Sequence, residues 1–241
     1  RSPSRGLGDV YKRQVIAILI IFSIIFILIA IPKWDQKNEI NEENKNHTFS
    51  TIWKNKFFIS VIPLGFFNYG GIMAIQTLWA GPWMLNVTGY NALQSATGLF
   101  WINIVMLVGF FVWGYILPKL SEFGLSSMKL LKLGLPLGYI VLLIIAYLGQ
   151  KAGATLFTLY ILTSIVISLI QPAVALNFHK SLAGKSLTSF NVLLFSGTFF
   201  MQWGIGLCID YFQSTGYSLI NSYQISFCLL YTSDAADDTP C

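Results

Sequence analysis

Long runs without any charged residue alternate with short lysine-containing segments along this chain. None of the 15 basic and 10 acidic side chains falls within residues 15–32, 57–118, 133–150, 152–179, 186–209 or 211–233. A helix needs about 20 consecutive apolar residues to cross the hydrocarbon core of a bilayer. The pattern therefore predicts an all-α fold, a polytopic bundle of membrane-spanning helices.

Measured against that length, the apolar runs divide into six full spans and one short run. We expect Phe57–Ala80 to be separated from the next span by an exposed turn that starts at Gly81-Pro82-Trp83 and ends at Tyr90-Asn91. The last run is 13 residues long and is interpreted as a truncated helix. The predicted spans and the short run are Val15–Ile31, Phe57–Ala80, Ala92–Leu117, Leu130–Gly149, Gly153–Leu176, Leu187–Ile209 and Leu219–Tyr231.

The lysines predict the orientation of these spans. Loops on the cytoplasmic side of a membrane protein carry an excess of Lys and Arg. In the loops between the predicted spans, which face alternate sides of the membrane, ten lysines lie on one side and only Lys151 lies on the other. The side with ten, which we expect to be cytoplasmic, holds Lys33, Lys37, Lys45, Lys54, Lys56, Lys119, Lys129, Lys132, Lys180 and Lys185.

Both ends of the chain depart from this pattern. All three arginines lie within residues 1–14, before a span whose start is predicted to be outside, and three aspartates follow the short last run. Both end strings also resemble sequences that recur at the ends of unrelated translated DNA fragments. We therefore expect residues 1–14 and 232–241 to be non-native tails, excluded from fold reasoning.

The layout of the remaining residues resembles the major facilitator superfamily of transporters, which have two six-helix halves joined by a cytoplasmic linker. The segment Gly114-Tyr-Ile-Leu-Pro-Lys119, together with Gly124 and Lys129, is similar to the family's loop motif, with proline at the acidic position, and is expected to be a tight helix-turn. Two further stretches, Leu182–Asn191 and Gln202–Asp210, are similar to bacterial members. The resemblance implies a last amino-half helix at 15–32, a linker at 33–56, and a carboxyl-terminal six-helix bundle at 57–231 with its last helix truncated.

Polar residues within two spans are the candidate substrate site. At 100° per residue, one arc of the second span holds Asn68, Gln76, Trp79 and Trp83, and a similar stripe on the sixth holds Asn191 and Gln202. Polar groups at that depth are costly in lipid and are therefore functional candidates, although hydrogen bonding between helices is the structural alternative. The resemblance places substrate between the two halves, and the predicted substrate-binding residues are Asn68, Gln76, Trp79, Asn191 and Gln202.

Other residues receive structural interpretations. Asn103 is expected to satisfy hydrogen bonds within the bundle, and Gly134-x-x-x-Gly138 is expected to be a helix-packing site. No Asp, Glu, Lys, Arg or His lies deep inside any span, so this part of the chain supplies no proton relay.

Composition excludes several classes of protein. Only 10% of residues are charged, against about 25% in soluble domains, and 55% are hydrophobic. The net charge of +5 is interpreted as lysines facing anionic headgroups, so no nucleic-acid partner is expected. The three cysteines are far apart, and no catalytic motif is present, so we predict no metal, no cofactor and no enzymatic activity.

Together these features predict a multi-pass protein of the cell's inner (plasma) membrane that transports a small solute by alternating access. Its expected partners are the lipid bilayer, the solute and a missing amino-terminal half, without which the fragment is expected to be inactive. A seven-span receptor or structural protein, and a membrane enzyme, are the alternatives.

Overall fold

A computed structural model describes residues 14–15, 17–26, 29 and 49–235, with side chains as far as residue 229 except that of residue 121. The predicted tails at 1–14 and 232–241, the span at 15–32 and the linker at 33–56 therefore lie wholly or partly outside the described residues. The chain divides into two compact units, Arg1–Asn46 and His47–Cys241. In the first unit, helix α1 is Ala17–Phe26; all further description concerns the second.

The second unit is built of helices, and no strand occurs among its described residues. Five of these helices are long and apolar enough to cross a membrane, which confirms a membrane helix bundle. A short 3₁₀ turn, Gly149–Lys151, follows α5. The helices are α2 Phe49–Trp53, α3 Lys56–Asn86, α4 Ala92–Glu122, α5 Ser127–Leu148, α6 Ala154–Leu176, α7 Lys180–Ser214 and α8 Leu219–Ala235.

The predicted break at Gly81-Pro82-Trp83 is wrong, because α3 continues through these residues to Asn86. Pro82 lies in the first turn of the α-helical segment Ala80–Asn86, directly after a π-helical turn at Ile75–Trp79. Because α3 is continuous here, Pro82 lacks the N–H that a residue inside a helix would donate to the preceding turn, and that preceding turn is the π-helical one. The connection to α4 is formed instead by residues 87–91, where Gly89 adopts a φ of 77°.

The helix-turn expected between Gly114 and Lys129 is present, but its first part, Gly114–Lys119, is helical, because α4 continues past Pro118 to Glu122. The turn follows at residues 123–126, and Gly124 supplies its left-handed backbone with a φ of 77°. The Nζ of Lys129 donates to the Gly124 carbonyl oxygen at 3.0 Å and closes the turn.

Each of the six long helices of the second unit packs against the next, so that together they form a closed ring. Helix α3 packs on α7, α7 on α8, α8 on α5, α5 on α6, α6 on α4, and α4 on the end of α3. At the end opposite most of the lysines, the fully buried Trp83 ring lies 4.6 Å from that of Phe227 and 6.0 Å from that of Phe157, centroid to centroid. This aromatic cluster joins α3, α6 and α8.

Glycines set the closest helix crossings. A Cβ added at Gly197 of α7 would lie 2.1 Å from the Phe66 carbonyl oxygen of α3, so these two backbones touch. Between α5 and α6, a Cβ at Gly134 would meet Val166 at 2.8 Å, and a Cβ at Gly138 would overlap the side chain of Ser164. The predicted packing role of Gly134-x-x-x-Gly138 is thus confirmed.

Candidate functional site

Helix α3 carries three of the five predicted site residues, and all three lie in π-helical turns. Asn68 is in the turn Leu64–Tyr69, and Gln76 and Trp79 are in the turn Ile75–Trp79. Each π-turn replaces i→i+4 hydrogen bonds by i→i+5 bonds and adds a residue to the turn, and such turns are frequent at functional sites. The π-helical backbone therefore favours these three residues as candidates for a functional site.

The π-turns overturn the predicted single stripe on this helix. The stripe assumes 100° per residue, but each wider turn rotates the residues that follow it. As a result, Asn68 contacts α5, Gln76 contacts α4 and Trp79 contacts α7. Trp83, placed on the same arc, is fully buried and donates from its indole to the Ala152 carbonyl oxygen at 3.1 Å.

Gln76 is the most buried of the predicted residues, with 5% of its surface exposed. Its amide nitrogen donates to Oδ1 of Asn103 at 2.8 Å, and the Asn103 amide donates in turn to the Leu99 carbonyl oxygen at 2.8 Å. The Oε1 atom of Gln76 is buried and has no hydrogen-bond partner. An unpaired buried acceptor costs about 1–3 kcal/mol, so this oxygen is an open position for a donor.

Trp79 and Gln202 join α3 to α7. The indole Nε1 of Trp79 donates to the Gln202 carbonyl oxygen at 3.0 Å, while the Gln202 side-chain amide donates to Thr77 Oγ1 at 2.9 Å. The Trp79 ring packs over Gly206, where an added Cβ would lie 3.2 Å from the ring. Gln202 therefore binds α3 through its backbone and its side chain together.

Asn68 faces α5 and accepts a hydrogen bond from the Tyr139 hydroxyl through Oδ1. Both residues line a cavity of about 20 Å³, which is wide enough for one water molecule. Tyr160 and Met201 also border this space. The site here is a small, mostly apolar pocket with polar groups from Asn68 and the two tyrosines.

Asn191 does not join the other four predicted residues. It is exposed on α7, and no hydrogen bond of its side chain is found within the described residues. Phe195, one turn further along α7, is 71% exposed. Gln202, at the other end of the predicted stripe, contacts α3.

Three participants were not among the predicted site residues. Asn103 had been interpreted as structural, and it supplies the partner of Gln76. Thr77 and Tyr139 were missed, because a hydroxyl on a spanning helix usually bonds to its own backbone and so gives no distinctive sequence signal. The Thr77 hydroxyl donates to the Met73 carbonyl oxygen of its own helix and also accepts a hydrogen bond from the Gln202 side chain of α7.

The chemistry of this network is that of neutral hydrogen bonding. Its members are amides, hydroxyls and an indole, and none of them carries a charge. Among the residues that the structure describes, no group of three or more His, Cys, Asp or Glu side chains is placed to hold a metal ion. The network's donors bond to acceptors within the protein and join α3 to α4, α5 and α7, and the Oε1 atom of Gln76 is the acceptor that stays open to a neutral polar molecule.

No family model, characterised protein or solved structure matches this chain.

Proposed function

We propose that this chain belongs to a secondary transporter of the major facilitator type, with residues 57–231 forming its carboxyl-terminal half. The support is the resemblance in layout, together with five membrane-length apolar helices and one helix, α3, that bonds to three neighbours through uncharged polar groups. The partners would be the bilayer of the inner membrane, a small solute and an amino-terminal half. The chain would be inactive by itself and would catalyse no covalent reaction.

The observation that supports transport most directly is the free Oε1 of Gln76. An unpaired buried acceptor is costly, and a solute that donates a hydrogen bond to this oxygen would remove that cost. Polar groups at this depth in a spanning helix are functional candidates for the same reason. The absence of charge in the hydrogen-bonded network favours a neutral or weakly polar solute, because an ion would lose hydration without a counter-charge.

The non-α turns of α3 and α6 provide a way in which solute binding would be coupled to helix movement. Gly70 and Gly71 lie between the two π-turns of α3, and the π-turn Leu64–Tyr69 contacts a 3₁₀ segment of α6, Ile165–Leu169. Non-α turns within long helices are places where the hydrogen-bond register can change at small cost. A solute bound at Gln76 would act next to such a place, as rocking of two bundles requires.

The first experiment recovers the DNA that flanks this coding sequence from an independent assembly. We expect five further hydrophobic spans upstream of Val15 in the same frame and a completed last helix downstream. A frame that begins close to the first residue, with no upstream spans, would refute the two-half transporter and leave the seven-span alternative.

The second experiment measures uptake by the full-length protein in cells, using labelled sugars, polyols, nucleosides and neutral amino acids. We expect one of these neutral solutes to enter faster than in cells without the protein. Replacing Gln76 by alanine should lower that uptake at least tenfold without lowering the folded amount in the membrane, measured by size-exclusion of a fluorescent fusion. Gln171→Ala on α6 is the matched control, because its side chain lies outside the network. Uptake by Gln76→Ala equal to that by the control would remove Gln76 from the site.

A further inference from the structure

A cavity in the described part of the chain lies away from the α3 network and shares no residue with it. Its volume is about 610 Å³, within the range of small-molecule sites. It opens between the first turns of α4 and α6, at the end of the bundle that carries only Lys151 among the described lysines. Its walls are formed by Tyr90, Leu93, Gln94, Thr97, Gly98, Trp101, Ala154, Thr155 and Thr158.

Small residues create this space. Gly98 of α4 packs directly on α6, since an added Cβ would lie 2.8 Å from the Cβ of Ala154. Gly153, just before α6, lies under the Tyr90 hydroxyl, where an added Cβ would overlap that oxygen. The close approach at these two points leaves the larger side chains around them to line the cavity. From Leu93 to Trp101 the lining runs along about 12 Å of α4, from the membrane surface inward.

The cavity is open to the outside of the bundle, and several of its polar groups belong to exposed residues that make no hydrogen bond within the described part of the protein. Within the described residues, no hydrogen bond is found for the hydroxyls of Tyr90, Thr97 and Thr155 or for the indole N–H of Trp101. The Gln94 side chain accepts from the Asn91 N–H through Oε1, which leaves its amide nitrogen without a partner.

Thr97 is the most informative of these groups. Threonines inside spanning helices normally donate to a carbonyl of the preceding turn. Elsewhere in this bundle they do so, at Thr77, Thr158, Thr163, Thr188 and Thr198. Thr97 has the same opportunity four residues after Leu93, yet it makes no such bond. Its hydroxyl is left available to the cavity.

These groups define the class of ligand. None of the nine lining residues is charged, so an ion would lose hydration without compensation. Hydroxyls both donate and accept, and two aromatic rings offer flat apolar faces. The combination matches a molecule with several hydroxyls and a C–H face. We propose that this cavity binds a neutral polyhydroxylated group, either a free sugar or polyol or the sugar headgroup of a glycolipid. This proposal is independent of the transport proposal.

The test uses the whole chain in phosphatidylcholine nanodiscs, because sugar-based detergents would occupy the site. The probes are methyl β-D-glucoside and octyl β-D-glucoside below its micelle concentration, with octyl tetraethylene glycol as the chain control. Binding is followed by tryptophan fluorescence. We expect a saturable change with a glucoside and none in Trp101→Phe, which locates the signal.

The hydroxyls are tested by the double variant Thr97→Val and Thr155→Val. We expect it to weaken glucoside binding about tenfold, since each lost hydrogen bond lowers affinity severalfold. Thr163→Val is the matched control and should leave binding unchanged, because its hydroxyl bonds to its own helix. Thermal unfolding verifies that all variants fold.

The outcomes separate the two sources of the sugar. Equal binding of both glucosides supports a free polyol, and binding of octyl glucoside alone supports a glycolipid headgroup. The proposal is overturned if no glucoside binds, if octyl tetraethylene glycol binds as well as octyl glucoside, or if the valine variant binds like the control.

Discussion

The contact between α3 and α7 at Gly197 predicts that replacing this glycine even by alanine destabilises the chain. The new Cβ would lie 2.1 Å from the Phe66 carbonyl oxygen and 2.8 Å from its carbonyl carbon. Both are backbone atoms, so no rotamer change relieves the overlap. Gly70 on α3 is in the reciprocal position, where a Cβ would lie 2.6 Å from the Gly197 carbonyl carbon.

The size of the effect follows from that distance. Non-bonded heavy atoms are at their optimum near about 3.5 Å, so the helices would have to separate by roughly 1.4 Å. Overpacking of this kind costs about 1–3 kcal/mol, and a rigid backbone neighbour places Gly197→Ala near the upper end. Alanine recovers about 1 kcal/mol through its higher helix propensity. We therefore expect a net loss of about 2 kcal/mol in the free energy of unfolding.

Gly204 on the same helix is the matched control. A Cβ added at Gly204 would meet nothing within 4 Å, so Gly204→Ala should be neutral or stabilising by up to about 1 kcal/mol. Both variants of the whole chain are unfolded by SDS titration in mixed micelles and followed by circular dichroism. Equal midpoints for Gly197→Ala and Gly204→Ala would refute the backbone contact between α3 and α7.

Two further predictions concern other contacts. Gly138→Ala should destabilise the chain by about 1–2 kcal/mol, because the new Cβ overlaps the Ser164 hydroxyl. Adding Ser164→Ala should restore most of that loss. Thermal melts of the unchanged chain, the two single variants and the double variant measure the coupling. Trp83→Phe should cost only about 1 kcal/mol despite complete burial, since the Ala152 carbonyl it leaves also accepts from Thr88 Oγ1 at 3.1 Å. A loss as large as that of Trp83→Ala, expected at about 3–5 kcal/mol, would contradict this interpretation.

The spans could be predicted because the bilayer imposes a simple rule. An uncharged run of sufficient length has one stable arrangement in lipid, which is a helix. The same rule does not fix where a helix ends. At Pro82 the proline suggested a break, and the span Ala92–Leu117 was expected to end before Pro118, but α3 and α4 continue past these residues. Local propensity was overruled by packing, since Gly81, Trp83 and Met84 are all buried.

The candidate site could be predicted only in part. Polarity within a span identified Asn68, Gln76, Trp79 and Gln202 as unusual, and the structure gives each a partner on another helix. Their directions could not be predicted, because a π-turn is a product of tertiary packing and leaves no clear signature in the sequence. Asn191 is a different case, since its polarity was the only signal and no contact accompanies it.

The divergence of directions along α3 bears on how a solute would act. If all polar residues of this helix faced one cavity, a solute would touch them together and α3 would move as a rigid rod. Instead, Gln76 bonds to α4, whereas Trp79, only three residues later, bonds to α7 next to the backbone crossing at Gly197. A donor that occupied Oε1 of Gln76 would therefore act on the contact between α3 and α4 rather than on the contact between α3 and α7.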